Sequence, residues 1–212
     1  MAVYDLEEQE QIDELKAWWK QYRTLILLVV VATALTVSSV WGWRAYRDRH
    51  AVEAGELYVQ LQASAAGGEQ KKVQDIAAVL AGKYPRTGYA AFAALAGAKA
   101  ALDSGDIAEA KSRLQWALDN ARDDETRDIA RLRLAAVLLD AKDYDAALKL
   151  LEAKHADTFS ALYADLKGDV LVAQGHNNEA RIAYQLALDK SDAKSNYRGL
   201  IQIKLDALGA AK

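Results

Sequence analysis

Apolar and polar positions along this chain follow two regimes. From Thr24 to Trp43 the stretch TLILLVVVATALTVSSVWGW carries no charged residue. Twenty residues at 1.5 Å each make a helix of about 30 Å, the thickness of a bilayer's hydrocarbon core. Beyond Ala45 the pattern becomes alanine-rich blocks broken by turn signals. These fall at Gly67-Gly68, Tyr84-Pro85, Ser104-Gly105-Asp106, Asp123-Asp124, Lys142-Asp143, Asp157-Thr158, Gly175-His176-Asn177 and Ser191-Asp192. Blocks of about 10 to 20 residues without strand-like alternation predict roughly nine helices.

The apolar run is bounded on both sides by the residue types that favour a membrane interface. Trp18, Trp19, Tyr22 and Arg23 precede or open it, and Trp41, Trp43, Arg44 and Tyr46 close it. Indole and phenol rings sit well at headgroup level, so two aromatic belts one bilayer apart predict a spanning helix. A cleaved leader is disfavoured, because the run is long, starts late and follows Asp5, Glu7, Glu8, Glu10, Asp13 and Glu14. Lys16, Lys20 and Arg23 on one flank balance Arg44, Arg47 and Arg49 on the other, so charge leaves the orientation open. Ile12, Leu15, Trp19 and Tyr22 recur at spacings of three and four. They predict either a short amphipathic helix on the membrane surface or a simple extension of the span.

Three later segments resemble one another: GDIAEAKSRLQWAL (Gly105–Leu118), KDYDAALKLLEA (Lys142–Ala153) and GHNNEARIAYQLAL (Gly175–Leu188). Each opens with a turn residue, places an alanine five positions on (Ala110, Ala147, Ala180) and a large residue four beyond it (Leu114, Leu151, Tyr184). The alanines lie 37 and 33 residues apart, close to the tetratricopeptide period of about 34. In the third unit Gly168, Leu171, Gly175, Ala180, Tyr184 and Ala187 occupy the small, large and turn positions of that repeat. A small residue on one helix lets its antiparallel partner approach, and a bulky one fills the groove beside it. The hallmark tryptophans are absent, with Ala94, Arg131 and Ala164 in their places, and Val73 stands where the earlier region should carry alanine.

The expected architecture is therefore all-α: a tetratricopeptide-like helical-repeat array anchored by one N-terminal transmembrane helix. Residues 1–23 form an N-terminal tail and 24–43 the span. Residues 44–86 hold a linker helix and a divergent first pair, and 87–212 the repeats with a C-terminal capping helix over Ala193–Leu208. A terminal cap should carry a polar outer face.

Composition narrows the chemistry. The chain has 212 residues, no cysteine and one proline, Pro85, so thiolate nucleophiles, thiolate metal sites and disulfides are excluded. A formal charge of −3 on a mixed surface gives no electrostatic reason to expect nucleic acid. His50, His155 and His176 are scattered, and His176 with Glu179 is a turn pair rather than a metal motif. Phosphate-binding and nucleophile-elbow signatures are missing. Asp123-Asp124 and Asp143/Asp145 lie where helices start, as the unpaired N–H groups there favour carboxylates. The sequence points to no catalytic, cofactor-binding or metal residue, and to no enzyme activity. Stacked helix pairs instead offer a concave surface for a protein segment. In the usual repeat geometry its lining includes Phe92, Leu95, Lys99, Ile129, Leu132, Ala136, Leu162, Asp165 and Asp169.

An acidic tail, a span ending in Gly42-Trp43-Arg44 and a compact repeat domain resemble the YfgM family. The stretches Lys83–Asp106 and Ala161–Leu188 support the likeness, which covers nearly the whole chain. Members of that family are ancillary subunits of the SecYEG translocon. The resemblance implies a bacterial inner-membrane protein with a cytoplasmic N-terminus and a periplasmic repeat domain. It further implies association with SecYEG and the chaperone PpiD, and help in handing emerging secretory proteins to periplasmic chaperones. The alternative is a tetratricopeptide adaptor that faces the cytoplasm and anchors another complex to the membrane.

Overall fold

In a computed structural model of the chain, residues 2–209 are described, with side chains from Ile12 onward. The acidic residues Asp5, Glu7, Glu8 and Glu10 of the tail fall outside the described side chains. Regular structure among the described residues is helical throughout: α1 (Ala2–Ala66), α2 (Gln70–Lys83), α3 (Gly88–Asp103), α4 (Ile107–Asn120), α5 (Asp124–Asp140), α6 (Tyr144–Leu151), α7 (Ser160–Ala173), α8 (Asn177–Lys190) and α9 (Asn196–Ala207). One 3-10 turn, Asp157–Phe159, stands where the Asp157-Thr158 turn was expected. The chain divides after His50 into two compact units.

The first unit is the greater part of α1. No break separates Ile12, Leu15, Trp19 and Tyr22 from the apolar run, so they extend one helix rather than form a separate element. Leu25, Leu27, Leu28, Val29, Val30, Val31 and Leu35 are all exposed. A helix that leaves such a run uncovered has no soluble core to bury it. The two hydroxyls near its middle are satisfied internally: Thr33 Oγ1 donates to the Val29 carbonyl and Thr36 Oγ1 to the Ala32 carbonyl, each at 2.8 Å. That is what a nonpolar medium demands of a polar atom.

The second unit is a stack of antiparallel helices with a core that passes from pair to pair. Ala54 and Leu61 of α1 pack with Val73, Ala77 and Leu80 of α2 and with Ala93 and Ala100 of α3. The next cluster joins α3, α4 and α5 through Ala98, Leu114, Ala130 and Leu134. Ala135, Ala147, Leu151 and Val170 join α5, α6 and α7, while Leu171, Tyr184, Leu188 and Ile201 join α7, α8 and α9. The small positions are small because backbones approach there. A Cβ built on Gly168 would lie 2.3 Å from a Tyr184 ring carbon, and one on Gly97 would lie 2.8 Å from the Ala77 Cβ. Carboxylates cap several helices: the Asp106 side chain accepts from Glu109 N, Asp123 from Thr126 N and Asp143 from Ala146 N. Hydrogen bonding with Thr126 holds the Asp123 carboxyl below its ordinary pKa. The outer face of α9 is mixed, with Leu200 and Ile203 exposed beside Gln202 and Asp206, whose side chains are hydrogen-bonded at 2.8 Å.

Candidate protein-binding groove and membrane anchor

Helices α3, α5 and α7 are the first members of successive pairs, and their exposed stripes lie side by side. Between α5 and α7 is a depression of about 360 Å³ lined by Ile129, Leu132, Ala136, Leu162, Asp165 and Asp169, together with Arg133, Phe159, Leu166 and Tyr197. Between α3 and α5 is a second of the same size, lined by Leu95, Lys99, Ala136, Leu102, Arg133 and Asp140 among others. Eight of the nine residues expected from repeat geometry line one or the other. Phe92 lies outside both; its ring is 6.3 Å from that of Tyr58, which in turn is 5.5 Å from Tyr89.

Those eight residues differ in what they can offer. Leu95 and Asp165 are buried, at 7% and 5% exposure. The Asp165 carboxylate is already engaged by Lys204 Nζ at 2.8 and 3.0 Å and by the Tyr197 hydroxyl at 2.6 Å. Asp169 accepts from Lys204 Nζ and from the Tyr184 hydroxyl, both at 2.8 Å, and Lys99 is paired with Asp103 at 2.7 Å. Burial and the neighbouring carboxylates push the Tyr184 and Tyr197 hydroxyl pKa values well up. For Lys204 burial works downward, but the hydrogen bonds and charges of Asp165 and Asp169 prevail and raise it. These groups fix α9 to α7. Leu162, Ile129, Leu132 and Ala136 remain as partly or well exposed apolar lining.

Arg133, Leu166, Phe159 and Tyr197 were missed by the sequence-based expectation. Arg133 and Leu166 were accessible to it, since each lies four residues after a predicted lining residue, Ile129 and Leu162, and so on the same helical stripe. Tyr197 comes from α9, and no periodicity in the repeats announces it.

A second polar cluster explains why Arg131 occupies a tryptophan position. Asp128 is buried; one carboxylate oxygen accepts from Arg131 Nη1 at 2.6 Å and the Tyr163 hydroxyl at 2.8 Å, and the other accepts from Ala156 N at 2.9 Å. The His155 ring stacks on Tyr163 at 4.0 Å. Burial, partly opposed by the Arg131 hydrogen bond, pushes the Tyr163 hydroxyl up to about 12. Every partner here is internal, and the cluster ties the α6–α7 connection onto α5. His176 and Glu179 are exposed and 3.8 Å apart. No group of three or more His, Asp or Glu among the described residues could hold a metal ion.

On the anchor, Trp18 and Tyr22 rings lie 5.5 Å apart at one end, and Trp43 and Tyr46 rings 6.5 Å apart at the other. Tyr46 also sits 4.2 Å from His50. From Trp19 to Trp41 the helix rises about 33 Å at 1.5 Å per residue. Among the described residues this is one helix long and apolar enough to cross a membrane, and Trp18, Trp19, Trp41 and Trp43 are all exposed on it.

Comparison with known proteins gives this architecture a family. A family model described as a tetratricopeptide repeat-like domain matches residues 16–210. An ancillary SecYEG translocon subunit of Neisseria gonorrhoeae is 34% identical over 212 residues, covering 98% of this chain and all of that protein. One of Haemophilus influenzae is 33% identical over 188 residues, covering 87% of this chain and 90% of the relative. One of Escherichia coli is 27% identical over 210 residues, covering 98% and 99%. These alignments run through both the apolar helix and the repeats. The chain belongs to the YfgM family of ancillary SecYEG translocon subunits, membrane-anchored proteins with a tetratricopeptide repeat-like domain.

Proposed function

We propose that this protein is a non-enzymatic scaffold at the SecYEG translocon, where it also associates with PpiD and assists handover of translocated proteins to periplasmic chaperones. The supporting observation is the end-to-end match to relatives that carry the name ancillary SecYEG translocon subunit. A match through the anchor as well as the array favours shared membrane context over a shared repeat alone. In this reading α1 crosses the bacterial inner membrane with residues 1–23 in the cytoplasm, and the array stands in the periplasm. Large domains translocate with little regard to flanking charge, so the balanced basic residues do not oppose it. The groove of α3, α5 and α7 is the surface offered to protein partners, through Phe92, Leu95, Lys99, Ile129, Leu132, Ala136, Leu162, Asp165 and Asp169 or the subset of them left accessible.

Two measurements test the proposal. Tagged full-length protein purified in mild detergent is expected to bring SecY, SecE, SecG and PpiD with it, above a control whose residues 24–43 are replaced by an unrelated span. Absence of all four would remove the translocon role. Because the chain has no cysteine, single cysteines report topology directly. Asn178→Cys, at an exposed site on α8, should react with an impermeant maleimide once the outer membrane is permeable to it, while Ala2→Cys stays protected. The reverse pattern would select the cytoplasmic adaptor.

A further inference from the structure

Within the groove one cation stands apart. The repeat spacings of 37 and 33 residues that relate Ala110, Ala147 and Ala180 also relate Ala96, Arg133 and Leu166. Leu166 lines the depression on the α7 side of Arg133, whereas Ala96 packs into the α1–α2–α3 cluster. The apolar α3 lining on the other side of Arg133 is Leu95, Ala98 and Leu102. Arg133 is exposed and lines both depressions. The other charges beside it are largely spent: Asp165 and Asp169 on Lys204, and Lys99 on Asp103. Arg133 has no hydrogen-bond or ion-pair partner among the described residues, and Asp140, two turns further along α5, does not pair with it.

We propose that this face binds an extended polypeptide segment that sets a carboxylate on Arg133 and an apolar side chain in the depression on either side. The proposal rests on the reading of the groove as a protein-binding surface. The geometry selects the spacing. Packed helices lie about 8–10 Å apart, so the far walls of the two depressions, on α3 and on α7, each stand about that distance from Arg133 on α5. A polyproline II strand rises about 3.1 Å per residue with three residues per turn. Residues three apart therefore project from the same side, about 9 Å from one another. An acidic residue with leucine-like side chains three before and three after it matches Arg133 flanked by Leu95 and Leu102 of α3 on one side and Leu162 and Leu166 of α7 on the other. Polyproline II is also a major conformer of unfolded chains, so such a segment needs little reordering to fit. A guanidinium can hold the carboxylate through two parallel hydrogen bonds, which a lysine could not copy.

The test uses full-length protein in detergent micelles and dye-labelled peptides containing Leu-Ser-Ser-Glu-Ser-Ser-Leu, with central Gln and central Lys versions, read by fluorescence anisotropy. The Glu peptide should bind about tenfold more tightly than the Gln peptide, as expected for one charge-assisted pair. Arg133→Ala should remove that difference, and Arg133→Glu should reverse the order in favour of Lys. Equal binding of Glu and Gln peptides by the unsubstituted protein, or an unchanged order in Arg133→Glu, overturns the proposal. Leu162→Lys separates this from the broader reading, because Leu162 is accessible lining. Binding that ignores the central charge yet is lost in Leu162→Lys keeps the groove and removes Arg133. Absence of binding by any peptide, or indifference to Leu162→Lys, removes both.

Discussion

Lys142 adopts a left-handed backbone conformation, with φ of 62°. The same turn in the flanking repeats is made by Gly105 (φ 79°) and Gly175 (φ 81°). A residue with a Cβ costs about 1–2 kcal/mol in that region. Lys142→Gly should therefore stabilise the array by about 1 kcal/mol, raising the thermal midpoint by about 2–4 °C, measurable by circular dichroism. Gly168 behaves in the opposite sense. A methyl group there meets the Tyr184 ring, which is held by its hydrogen bond to Asp169. Gly168→Ala should cost about 1–3 kcal/mol through overpacking, and a midpoint equal to that of the unsubstituted protein would refute the tight approach of α7 and α8. These features were readable in the sequence because they are local: a small position, a turn and a large position repeat within one helix pair. The ion pairs of Asp165 were not, since its partner Lys204 lies 39 residues away and outside the repeating pattern. Asp128 and Tyr163, 35 residues apart, were hidden for the same reason, and Arg131 could be read only as a missing tryptophan.

At the scale of elements, α9 is held to α7 by protons as well as by Ile201. Tyr197 and Tyr184 bind their protons more tightly in the fold than in the unfolded chain, and so does Lys204. The folded state then carries the greater number of protons, so stability is intact below the ordinary values of about 10 for tyrosine and 10.4 for lysine. It declines as pH rises past them toward the folded values. Tyr163, raised to about 12, adds to the same limb. The thermal midpoint should accordingly be level from neutral pH to about 10 and fall beyond it. Lys204→Met should cost about 3 kcal/mol at neutral pH by leaving Asp165 buried without its ion pair. It should lessen the alkaline fall only by the lysine's own share, since Tyr163, Tyr184 and Tyr197 keep theirs. A neutral-pH midpoint equal to that of the unsubstituted protein would show that α9 is not secured this way. The anchor was the most legible element of all, because twenty uncharged residues between aromatic belts have few other uses. The two open apolar residues of α9 were not legible; its position at the end of the array suggested polarity, which Gln202 and Asp206 supply, yet Leu200 and Ile203 lie open beside them.

For the whole molecule, the core forms a relay in which each cluster is shared by adjacent helices, from Ala54 and Leu61 to Ile201. Contacts between elements are mostly with the next helix in sequence, and otherwise with the next helix but one. A chain built so has low contact order, and such chains acquire structure quickly because few long loops must close first. Each helix pair can also settle before the following one has been delivered. The array can thus be assembled vectorially behind its anchor, beginning with α2 and α3 while α8 and α9 are still unfolded. During that interval Asp165 and Asp169 have no ammonium partner, and the groove end they occupy is the last part of the protein to mature.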